Sequence, residues 1–218
     1  MSIGDGPSFD PAKYTPEMTL AQIRELRQHL SDDLMPEATR RDALFVIRFL
    51  SYLDALATRF EQNVDAPLDL LAFVVRNLLE FSVLLPVVFE SESNKTLFMN
   101  EAFRIDLADL RAKLDATFTE LGKEPSVGGV VAEEELDWLP RSTTRLAGQR
   151  TAFDSWLHKF CSKLMHPTAI MIMAGEALAD PNKRITLCFS GLQYLGKSYN
   201  FLSETLFPDV RSSSPNVS

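Results

Sequence analysis

Residues 156–167, WLHKFCSKLMHP, hold the densest chemistry in the chain. At about 100° per residue a helix puts Ser155, Lys159, Ser162 and His166 on one side, with Lys159 a heptad before His166 and about 20° from it. Lys163 follows beside them. Lysine stabilises a phosphate or oxyanion as a point charge, and histidine moves protons near neutral pH, so Lys159 and His166 are the candidate catalytic pair. The same residues also fit a solvated helix face whose terminal histidine meets the last free carbonyls. Arg76 and Glu80 form the second constellation. They lie four apart in an otherwise apolar stretch and pair on one helix face. Glu80 would orient His166 and Arg76 would hold an anion if the two helices are neighbours; otherwise the pair only neutralises two charges in the interior. Arg76, Glu80, Ser162 and Lys163 are the candidate ligand-binding residues.

Charge distribution adds a third signal. Between residues 138 and 173, Arg141, Arg145, Arg150, Lys159 and Lys163 face one acid, Asp154, whereas the whole 218-residue chain has net charge −8. The overall charge opposes broad coating of nucleic acid or anionic lipid, yet the local run suits RNA or another phosphate-bearing ligand in a groove. It equally suits a solvated face opposite the acids of residues 133–137. His158 and Cys161 are three apart without a third ligand at matching spacing, so no metal site is expected. Residues 123–137 contain Gly128 and Gly129 but lack a phosphate-loop pattern, and no cofactor is expected.

The elements that must position these residues read as all-α. Fifteen Phe against nine Gly indicate long packed elements with few tight turns. Helical periodicity predicts helices over 19–34, ending before Pro36, and over about 36–63, with Leu44, Ile47, Phe49, Leu50, Leu53, Leu56 and Phe60 inward. A third, apolar nearly all round, covers about 67–89 with a kink near Pro86 and lies centrally. Further helices are predicted over 94–121, 138–148, 151–166, 168–179 and 181–207. In the 151–166 helix, Phe153, Leu157, Phe160 and Leu164 form the inward stripe. The expected architecture is an antiparallel bundle of four to five principal helices with short accessory ones. One domain covers 19–208, with its main loop at 123–137 and disordered tails at 1–18 and 209–218. Cys161 and Cys188 read as reduced thiols, the N-terminus lacks the apolar region of a signal peptide, and the longest apolar run, 78–89, is shorter than a membrane span. A cytoplasmic protein without membrane contact is expected.

The sequence Arg76-Asn77-Leu78-Leu79-Glu80, then Trp138 with Leu146-Ala147, then Cys161-Ser162-Lys163-Leu164-Met165-His166-Pro167-Thr168 resembles bacterial helical families of the HEPN and AbiV group over roughly residues 42–179. The resemblance implies an all-α bundle, a homodimer, and in active members a metal-independent ribonuclease using an arginine and a histidine five to seven positions apart. His166 matches the family histidine. The arginine does not match: Lys159 and Lys163 stand upstream, and Arg150 is sixteen residues away. Because lysine lacks the bidentate fork of arginine, the departure favours a non-catalytic binding or assembly module. A ribonuclease or RNA-binding protein of a defence or toxin system is the alternative.

Overall fold

The computed structural model describes residues 11–99, 151–165 and 181–208. These residues are all-α, with no strand among them. In chain order they form a 3₁₀ turn at Pro11–Tyr14, α1 (Pro16–His29), a π-helical turn at Leu30–Leu34, α2 (Met35–Arg40), α3 (Leu44–Asn63), α4 (Leu68–Val88), α5 (Ala152–Met165) and α6 (Pro181–Leu206). The chain divides into two compact units, Met1–Leu84 with Thr143–Ser218, and Leu85–Ser142, where the sequence reading treats 19–208 as one domain. The helices expected at 138–148 and 168–179 and the loop at 123–137 lie outside the described residues, as do both extreme termini.

Helical structure begins before residue 19, inside the segment expected to be tail. Thr15 is the reason: its Oγ1 accepts the Met18 N–H at 3.4 Å, and Pro16 occupies a first-turn position whose N–H is not needed. The expected stop before Pro36 is also absent. Proline there has no N–H to give to the preceding turn, and the chain widens into the π-helical turn at Leu30–Leu34 before continuing as α2 with Pro36 in its first turn.

The real break comes after Arg40. The Ala43 N–H donates to Ala38 O at 2.9 Å and the Asp42 N–H to Thr39 O at 3.1 Å, the paired bonds of a Schellman cap. Asp42 therefore takes φ of 52°, in the left-handed region normally left to glycine. This break turns α3, so that its buried face is Val46, Phe49, Leu50, Leu53, Leu56, Ala57 and Phe60. Leu44, expected inward, is 66% exposed, and Ile47 is half-buried.

α1, α3 and α6 pack on one another around Ile23, Leu50, Leu53, Phe60, Leu187 and Leu195. Gly191 permits the closest approach: a Cβ there would sit 2.3 Å from Cζ of Phe60. Arg184 of α6 secures the turn between α3 and α4, donating from Nη1 to Val64 O and from Nη2 to Ala66 O at 2.9 Å. Tyr14 meets Phe189 edge-on at 4.8 Å and fixes the 3₁₀ turn to α6.

α4 runs through Pro86 as one helix. With mean hydropathy 1.9 over its most apolar window it is long and apolar enough to cross a membrane, and 61% of that window is buried inside the protein. The apolar run 78–89 is itself shorter than a span, as expected, but the whole helix Leu68–Val88, with Arg76 and Glu80 paired on one face, has the length and composition of one. In the second unit, the Asn94 N–H bonds to Ser91 Oγ at 3.1 Å and starts a helical stretch over residues 92–99, slightly ahead of the expected start. The remainder of the helix expected to residue 121 lies outside the described residues.

Candidate functional site

Helix α5 forms where it is expected, but with a different face inward. Thr151 supplies its N-cap, accepting the Asp154 N–H at Oγ1 at 3.0 Å. The buried residues are Asp154, Leu157, His158, Cys161 and Leu164, while Phe153 is exposed and Phe160 only half-buried. Against the stripe predicted from apolar residues alone, the interior is rotated by about 70°. The reason is polar: the rotation brings Asp154 and His158, one turn apart, onto partners on α6 and α4.

Glu80 is the hub of the resulting cluster. Its Oε1 accepts the Arg76 Nε–H at 2.9 Å and lies 3.0 Å from Nε2 of His158. The side chains of Arg76 and Glu80 are 22% and 21% exposed and that of His158 only 9%, so the histidine is the most enclosed of the three. Each charge thus has an opposite or hydrogen-bonding neighbour, as interior charges require. Ser162, a candidate ligand-binding residue, donates its Oγ–H to the His158 carbonyl at 2.8 Å and is turned back onto its own helix.

Cys161, one turn after His158, has its thiol pushed up to about 12 by burial, which outweighs the opposing field of the Arg76 guanidinium. It is a protonated core thiol at neutral pH and no nucleophile. Among the described residues no group of three or more metal-binding side chains forms.

Beside this cluster, Tyr194 of α6 donates its hydroxyl proton to Oδ1 of the buried Asp154. Burial, and then the adjacent Asp154 carboxylate, hold the Tyr194 phenol above its ordinary range. Lys197 lies 4.9 Å over the Tyr194 ring. Tyr194 is the residue that the sequence passes without a signal, while Asp154 stands there only as the lone acid of a basic stretch and His158 only as a poor metal ligand beside Cys161. The available signal was a carboxylate and an imidazole four apart on a helix, a spacing that places both on one face.

Of the predicted site residues, the structure brings Arg76 and Glu80 together and joins them to a histidine, but that histidine is His158. His166 lies outside the described residues, as do Arg141, Arg145 and Arg150. Lys159 and Lys163 are exposed on α5. They flank Trp156 and Phe160, whose rings stack at 5.1 Å with 7° between their planes, and Phe153 continues the row at 5.7 Å from Trp156. No family model, curated protein or solved structure matches this chain, so the HEPN-like likeness rests on its own short motifs.

Proposed function

We propose that the protein is a helical binding or assembly module, HEPN-like and working as a homodimer, in which Arg76, Glu80 and His158 tie α4 to α5 and perform no chemistry. The observation that carries this reading is the sharing of one oxygen, Oε1 of Glu80, by Arg76 and the nearly enclosed His158. A general base needs a lone pair free to reach a substrate proton; a carboxylate already engaged with two neighbours and an imidazole facing it serve better as a fastening. The buried, protonated Cys161 supports the same view.

The reading is tested by incubating purified, folded protein with structured and single-stranded RNA in chelator. Unchanged RNA is the expected result, and cleavage abolished by His166→Ala at unchanged melting temperature would replace the module with a ribonuclease. That second reading draws on one observation, the exposed Lys159 and Lys163 beside the stacked Trp156 and Phe160, a combination suited to phosphates and bases. Light scattering at micromolar concentration tests the dimer, and a monomer mass would exclude it.

A further inference from the structure

The outward face of α3 carries features that the Arg76–Glu80–His158 cluster does not use. A groove of about 570 Å³ follows this face, lined by Leu44, Ile47, Arg48, Ser51, Tyr52 and Ala55. Leu44 and Tyr52 are exposed in it, although α3 is otherwise strongly sided. Arg48 and Arg59 are also exposed, and their guanidinium groups meet no carboxylate among the described residues. Eleven positions make about three helical turns, so the two cations stand about 16 Å apart along the axis and within about 20° of each other around it.

Acids are available on the flank of α3, but α1 has taken them. Arg24 holds Glu61 at 2.7 Å, and Arg27 reaches Asp54 at 2.9 Å and Glu61 at 2.7 Å. The outward stripe is therefore left positive in a chain of net charge −8.

We propose that this face is a docking site for an acidic amphipathic helix of another protein, with carboxylates about three turns apart that pair with Arg48 and Arg59 and an apolar residue between them seated against Tyr52 and Ala55. The proposal rests on the binding-module reading and names the chemistry of its partner. A helix presents side chains on one face at spacings of three, four, seven and eleven, which match the spacing of the two cations along α3. A second copy of the same face is the wrong occupant, because antiparallel two-fold pairing would set Arg48 against Arg59. A phosphate backbone is also a poor match. Two cations and one exposed ring offer neither a continuous positive track nor a stacking row, and the overall charge repels it.

The test uses a fluorescein-labelled helical peptide of about 18 residues carrying two glutamates three turns apart with leucines between them on the same face. Anisotropy should report binding to the full chain at low salt. Arg48→Glu combined with Arg59→Glu should weaken it by about tenfold. A peptide with lysines replacing the glutamates should recover binding to the charge-reversed protein. Both arginines are exposed, and an unchanged melting temperature checks that the variant is folded. Absence of peptide binding to the folded chain, or binding indifferent to charge reversal, overturns the proposal. Single-stranded RNA that displaces the peptide and is itself lost on charge reversal overturns it as well, by making the face a phosphate site. The module reading is decided separately, by RNA cleavage in chelator, so the two failures are distinct.

Discussion

Replacing Glu80 by alanine removes an oxygen on which two other side chains depend, and the cost can be worked from their exposure. His158, with 9% of its side chain exposed, would lose its partner where water barely reaches, a penalty of about 1–3 kcal/mol for an unsatisfied buried group. Arg76 is 22% exposed and can recover hydration, so its loss adds only about 0.5 kcal/mol. The sum is about 1.5–3.5 kcal/mol, or a fall in melting temperature of about 3–14 °C for a chain of this size. Urea unfolding followed by circular dichroism and by tryptophan fluorescence would measure it, since Trp156 lies on α5, the helix that carries His158. A double-mutant cycle sharpens the test. His158→Ala costs stability by itself, but in the Glu80→Ala background it should cost about 1–2 kcal/mol less, because the interaction is already gone. Glu80→Gln, which keeps an acceptor of similar shape, should lie between the wild type and Glu80→Ala. Additivity of the two alanine variants within about 0.5 kcal/mol would refute the argument that Glu80 and His158 act as one unit.

Gly191→Ala should destabilise the protein by about 1–3 kcal/mol in spite of alanine's better helix propensity, because its Cβ would overlap the buried Phe60 ring; Gly196→Ala, with nothing within 4 Å, should be neutral or stabilising. Equal urea midpoints for the two variants would count against the close α3–α6 approach. Asp42→Gly should stabilise by about 0.5–1 kcal/mol by relieving the left-handed backbone after α2, and a lower melting temperature would argue against the Schellman cap there. The Cys161 thiol should resist a thiol reagent at pH 8 in the native protein and react once the chain is unfolded in urea. Since burial holds the native group up to about 12 against an ordinary value near 9, the unfolded chain loses this proton first. Stability should thus decline as pH rises from 9 towards 12, and a Cys161→Ser variant should lose that part of the decline. Rapid labelling of native Cys161 at pH 8 would contradict its burial.

The sequence by itself determined the all-α class. Apolar spacing and proline positions locate α4, α5 and α6 and the end of α3 to within a few residues, because helix formation depends on near neighbours in the chain; the single helix expected over 36–63 is instead broken after Arg40 into α2 and α3. The Arg76–Glu80 pair was legible for the same reason, since positions four apart on a helix always meet. Helix phase was not legible in the same way. The stripe Phe153, Leu157, Phe160 and Leu164 is a sound reading of α5 alone, yet the helix buries Asp154 and His158 and leaves Phe153 out. That choice depends on Tyr194, forty residues later, and Glu80, seventy-eight residues earlier, whose hydrogen bonds offset the burial of the polar groups. Local spacing decides which residues share a face, whereas only the tertiary structure decides which face is inward, because the energies that settle it come from partners remote in the sequence.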